Sequence, residues 1–187
     1  MTTIGPENTI DARTQATPLG WAKEAIKKET TDSSATNDQF LPAFTGEVGG
    51  CLGETSALAL IIGGVYMVIR KTMDIRIPIA VLAAAFLFSG IFWLVDPDSY
   101  ISPLTHLVTG GLMIGAIFIA TDPVTAPLTP KGMWVYGAGV GIITVLIRTV
   151  GGYPEGVMYS ILLMNACAPL IDLAFKWKPA GGEPNAE

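Results

Sequence analysis

The feature that most limits how this chain can fold is where its charges are not. From residue 53 to residue 175 the sequence passes through five apolar runs, 53–70, 77–95, 104–121, 132–150 and 156–175, separated by short polar connections. Each run is close to the ~20 residues that carry a helix across the hydrocarbon core of a bilayer. Each is too long for a strand, and none alternates with period 2. In lipid no water is available to satisfy backbone N–H and C=O groups, so a spanning segment must close its hydrogen bonds internally as a helix. The expected fold is therefore all-α: a polytopic membrane protein with five transmembrane helices behind a polar N-terminal segment.

Composition agrees. Of 187 residues, 50% are hydrophobic and 14% charged, against about a quarter charged in an ordinary soluble domain, and the mean hydropathy is +0.50. The polar residues gather at the two ends. This divides the chain into a segment and linker over 1–48, a five-helix membrane domain over 49–176, and a tail over 177–187. The first twenty residues have no apolar core, so no cleavable signal peptide is read and an internal helix is expected to direct insertion. The net charge of −5 gives no electrostatic footprint for nucleic acid, which is excluded as a partner. The lipid bilayer is the partner that composition implies. Cys51 and Cys167 lie in or beside different apolar runs and read as small packing residues, not as a disulfide or metal pair.

The connections are KTMDIR, DPDSYISP, DPVTAPLTPK and GGYPE, punctuated by Asp, Pro and Gly as helix stops and turns are. Arg70, Lys71, Arg76, Lys131, Lys176 and Lys178 all fall on one side of the expected bundle. The positive-inside rule puts that side, with the C-terminus, in the cytoplasm and the N-terminal segment outside. In a bacterium this is a multi-pass protein of the cytoplasmic (inner) membrane. Trp93, Tyr100, Trp134, Tyr153 and Trp177 fall near helix ends, where an aromatic belt sits. Gly111 with Gly115, and Gly137 with Gly141, have small-xxx-small spacing, which brings helix backbones close, either within the bundle or against a partner.

Four stretches carry possible chemistry. In DARTQATPLGWAKEA (11–25), Thr17 followed by Pro18 reads as an N-cap and first helical residue ahead of a short amphipathic helix. A phosphate on that hydroxyl would also sit well, because a helix start favours anions. In GEVGGCLGETS (46–56) the glycines suggest backbone lying against something flat or bulky. There Glu47 and Glu54, with Gly53, are candidates for contact with a polar cofactor or an ion, with helix capping by the two glutamates as the alternative. In ATDPVTAP (120–127), Asp122-Pro123 reads as a helix terminator. RTVGGYPEG (148–156) sets Arg148 and Glu155 around a glycine turn. His106, the only histidine, reads as a packed, hydrogen-bonded residue. No His/Cys/carboxylate cluster signals a metal, and no dinucleotide fingerprint or nucleophile elbow is present. Asn165 and Asp172 are the polar residues best placed for a transport role.

These blocks, namely DARTQATPL, GEVGGCLGETSALALIIGG, ATDPVTAP and GGYPEGVMYSILLMNACAPLID, resemble in order and spacing the RnfD family of Rnf electron-transport complexes, itself related to the NqrB component of the sodium-translocating NADH:quinone reductase. The resemblance covers about Asp11 to Asp172 and corresponds to the C-terminal half of such a protein, with further helices expected upstream in the family. It implies covalent FMN, attached through its phosphate to Thr17, within a motif in which Asp11, Thr14 and Ala16 hold the family positions and Gln15 replaces a glycine. It also implies a second, non-covalent flavin such as riboflavin. The implied role is electron carriage, as a membrane subunit of a ferredoxin:NAD oxidoreductase coupled to ion movement and not as a catalyst alone. Implied partners are the other membrane and flavin or iron–sulfur subunits of the complex, with a flavin transferase for maturation. The alternatives are a non-redox transporter or channel piece, and a truncated structural fragment of the complex.

Overall fold

The computed structural model describes residues 56–96, 100, 102–151, 153 and 155–175. Among them all regular structure is helical: α1 (Ala57–Ile69), α2 (Arg76–Val95), α3 (Pro103–Val108), α4 (Leu112–Ile114), a π-helical turn (Gly115–Ile119), α5 (Pro130–Thr149) and α6 (Val157–Phe175). Three of these, α2, α5 and α6, have the length and apolarity to cross a membrane, at 20, 20 and 19 residues. Helix α1 is shorter, at 13 residues, and starts at a Ser56 cap whose side chain accepts the Ala59 N–H.

Hydroxyl–proline steps start two of the helices. Ser102 accepts the Thr105 N–H ahead of Pro103, and Thr129 accepts the Gly132 N–H ahead of Pro130. In each case the cap satisfies an N–H that the helix cannot, and proline supplies a fixed φ where no donor is needed. Helix α1 ends in a Schellman turn. Lys71 N–H donates to Val68 and Thr72 N–H to Met67, with Lys71 at φ 55°, a left-handed position where glycine is usual.

The third apolar run departs from expectation. Its sequence predicts one helix over 104–121, but the chain breaks after Val108, resumes at Leu112 and passes into the π-helical turn, closed by Ala120 N–H to Gly115 C=O at 2.7 Å. The local cause is Gly110, whose φ of 71° is open to glycine and strained for other residues. The tertiary cause is an ion pair that occupies the break, described below.

Helices α2 and α5 run parallel and pack closely through the GxxxG face of α5. A Cβ on Gly137 would stand 2.6 Å from Ala80 Cβ and 2.9 Å from the Ile77 carbonyl oxygen; one on Gly141 would stand 3.0 Å from Ala84 Cβ. Those glycines therefore serve packing within the bundle. Gly115 likewise sits against Val157 and Ile161. The opposite side of α5 packs antiparallel on α6, with Gly139 against Met164. Val81, Leu112, Tyr136, Val140 and Val145 are fully enclosed between these elements. Helix α1 joins through a smaller cluster of Ala57, Val108, Met113 and Ile117, where Gly64 lies under Ile117 and Gly63 under Phe118. Ile62, Tyr66, Leu87, Leu94, Leu162, Leu170 and Leu173 all face outward. An apolar exterior around a hydrogen-bonded polar interior is the arrangement of a membrane protein.

Candidate functional site

The polar side chains inside the bundle concentrate on the face that α5 turns towards α6 and the third run. Four side-chain pairs bridge the approach to α5, or α5 itself, to α6 or the residues leading into it: Thr129–Asp172 at 2.8 Å, Tyr136–Asn165 at 2.5 Å, Thr144–Ser160 at 2.6 Å and Arg148–Glu155 at 3.0 Å. Numbers rise on one side as they fall on the other, so the contacts form an antiparallel ladder from one end of the two helices to the other. Each rung pairs groups that would otherwise lie unsatisfied in an apolar medium. Pro169 adds to the polar character beside Asn165, because it removes the N–H that would serve the Asn165 carbonyl.

At one end, Asp172 accepts from Leu128 N–H at 3.0 Å, Thr129 N–H at 3.1 Å and the Thr129 hydroxyl. Thr129 caps α5, so the carboxylate of α6 holds the start of α5 in place. Asp172 is thus committed to a structural contact. Asp122 closes the neighbouring turn, accepting from Val124 N–H at 3.3 Å and the Thr125 hydroxyl at 3.1 Å. This is an Asx-type turn that ends the third run, the terminator role expected of Asp-Pro. Beside it a cavity of about 470 Å³ opens between the α1–α2 connection and this turn, with Lys71, Thr72, Asp74, Thr121 and Leu128 on its walls.

At the other end, Arg148 enters the break in the third run. Its side chain is 1% exposed and that of Glu155 33%. One guanidinium nitrogen donates to the His106 carbonyl at 2.8 Å and lies 3.4 Å from His106 Nδ1. The other donates to the Thr109 carbonyl at 3.2 Å and to Glu155 Oε1 at 3.0 Å. The same carboxylate oxygen accepts the Gly111 N–H at 3.1 Å. A cation thus faces the carbonyl end of α3 and an anion faces the N–H groups where the chain resumes, the sense that the dipoles of both pieces favour. His106 is buried and packed here, as its isolation in the sequence suggests.

The cofactor-binding candidates Asp11, Thr14, Ala16, Thr17, Gly53 and Glu54 lie outside the described residues. Arg148 and Glu155, which flank one turn in the sequence, are brought into direct contact. Tyr136, Thr129, Thr144 and Ser160 are polar partners that sequence reasoning missed. Their signal is present, since 129, 136, 144 and 148 recur at helical spacing on one face of an apolar run. Among the described residues no group of His, Cys, Asp or Glu is arranged to hold a metal ion.

Comparison with known proteins decides the lineage. The model of the NQR2, RnfD, RnfE family matches residues 1–181. The chain belongs to the NQR2, RnfD, RnfE family. Among relatives, it is 46% identical over 164 residues to the D subunit of the Na(+)-translocating ferredoxin:NAD(+) oxidoreductase complex of Acetobacterium woodii, covering 87% of this chain and 47% of that protein. It is 42% identical to the D subunit of the proton-translocating ferredoxin:NAD(+) oxidoreductase complex of Clostridium ljungdahlii, covering 87% of this chain and 50% of that one. With the D subunit of the ion-translocating oxidoreductase complex of Erwinia tasmaniensis the identity is 39%, over 87% and 45%. The chain spans about half the length of these relatives. The family resemblance read from the four sequence blocks is therefore borne out.

Proposed function

We propose that this chain serves as a membrane subunit of an ion-translocating ferredoxin:NAD oxidoreductase of the Rnf type, and that it carries electrons through FMN held covalently at Thr17. The observation that carries this reading is the family match over residues 1–181, which includes the DARTQAT stretch. The relatives, each a D subunit of an oxidoreductase complex that translocates ions, support the role. Bound FMN would supply reversible electron uptake and release.

What the chain's own residues contribute is attachment and placement. The Thr17 hydroxyl oxygen carries the flavin phosphate, with Asp11, Thr14 and Ala16 as the recognition motif for a flavin transferase. Gly53 and Glu54 are proposed to lie near a flavin at the membrane edge, where riboflavin is a candidate second cofactor. The packed bundle of α2, α5 and α6 anchors the segment in the bilayer. The basic connections set the orientation, with the N-terminal segment outside and the C-terminus in the cytoplasm of the inner membrane. Other membrane and flavin or iron–sulfur subunits are the expected partners.

The test is co-expression with a flavin transferase, followed by in-gel fluorescence and intact mass. A fluorescent band and an FMN mass increment in the wild type, both abolished by Thr17→Ala, are expected. No adduct on the wild type, or an adduct unchanged in Thr17→Ala, overturns the assignment.

A further inference from the structure

We propose that the break in the third apolar run is a binding site for a planar guanidinium cation, that Arg148 is its tethered occupant, and that the vacated site takes free guanidinium from water by way of Glu155. Breaks in membrane helices expose carbonyls that elsewhere bind diffusible cations. Here the carbonyls of His106 and Thr109, in the last turn of α3 and just beyond it, both accept from Arg148, at 2.8 and 3.2 Å. The Glu155 carboxylate completes the set at 3.0 Å. These acceptors are shared between the two terminal nitrogens of one flat fork, a match for guanidinium and a poor one for a spherical ion or an ammonium.

The site is built, not incidental. The guanidinium is withdrawn from solvent, with the Arg148 side chain 1% exposed, while the Glu155 side chain at 33% reaches the surface. The carboxylate balances the charge that the carbonyls alone would leave uncompensated in an apolar medium. Gly110 leaves room for the assembly, since a Cβ there would overlap the Glu155 carboxylate and stand 2.8 Å from the Arg148 guanidinium. Glu155 also accepts the Gly111 N–H, so the pair ties both sides of the break to the ends of α5 and α6. Removing the side chain beyond Cβ, as in Arg148→Ala, leaves two carbonyls and a carboxylate facing the space that the guanidinium and its stem had filled, with an acidic entrance.

The experiment is chemical rescue of the full chain in detergent. Arg148→Ala is expected to lower the thermal midpoint by about 10 °C. Low-millimolar guanidinium chloride is expected to restore part of this saturably, while sodium or potassium chloride at matched ionic strength does not and the wild type gains nothing. Adding Glu155→Gln to Arg148→Ala should raise the half-saturating guanidinium concentration about tenfold. No saturable gain, or an equal gain from sodium or potassium, overturns the proposal. Should Arg148→Ala fail to accumulate, Arg148→Lys decides. A folded Arg148→Lys chain whose thermal midpoint lies below that of the wild type supports the proposal, because a compact ammonium meets this flat set of acceptors poorly. Wild-type stability in Arg148→Lys overturns it.

Discussion

Single residues in this bundle have roles that their types announce only in part. Asp172 is a candidate for transport by its place in the sequence, yet its carboxylate is spent on the Leu128 and Thr129 N–H groups and the Thr129 hydroxyl. Asp172→Ala should cost about 1–3 kcal/mol, because hydrogen bonds to a charged acceptor are lost and a cap loses its support; denaturation of the chain in mixed micelles measures it. Lys71 makes the opposite case. It sits at φ 55° at the end of α1, where a side chain costs energy that glycine does not. Lys71→Gly should therefore stabilise by about 0.5–1 kcal/mol in the same assay, the left-handed strain outweighing the extra freedom of the unfolded chain. The caps at Ser102 and Thr129 are legible as hydroxyl–proline steps. Thr17-Pro18 has the same pattern, so its hydroxyl reads as a cap; that it anchors FMN is what the family resemblance implies.

At the scale of elements, close approach of α2 and α5 depends on the absence of side chains at two positions one turn apart. Gly137→Leu should destabilise by about 1–3 kcal/mol or more through overpacking, since even a Cβ meets Ala80 and the Ile77 carbonyl. Replacing outward-facing Leu87 by alanine should cost much less, because its neighbours are lipid; the two variants compared by thermal midpoint check this. Tyr136→Phe should cost about 0.5–1.5 kcal/mol by removing the 2.5 Å bond to Asn165. The GxxxG spacing announces a close contact in the sequence. It does not announce the partner, because spacing says which face is small and not what lies against it. The break in the third run is hidden for a related reason. Glycines at 110 and 111 are tolerated in membrane helices, and only the arrival of Arg148 and Glu155 from distant elements makes the open conformation the stable one.

For the molecule as a whole, the basic connections at one end predict the orientation. A single cysteine introduced at Thr72 should react only with a membrane-permeant thiol reagent in intact cells, and one at Asp96 with an impermeant reagent as well, after replacement of Cys51 and Cys167. The reverse pattern would invert the topology. Number and placement of apolar runs, the polar N-terminal segment, the capped starts of α3 and α5 and membership of the NQR2, RnfD, RnfE family were all determined by the sequence alone. Those properties depend on local composition, local caps and motif order, which a one-dimensional string carries in full. The tertiary structure alone decided that α2 packs parallel on α5, that four polar pairs register α5 with α6, and that an ion pair closes the broken third run. Each of these requires residues distant in sequence to meet: the hydrogen bonds span up to 44 positions, and Gly137 packs on Ile77, 60 positions away. A polar residue in an apolar medium is stable only beside its partner, and which partner it finds is settled when the helices pack.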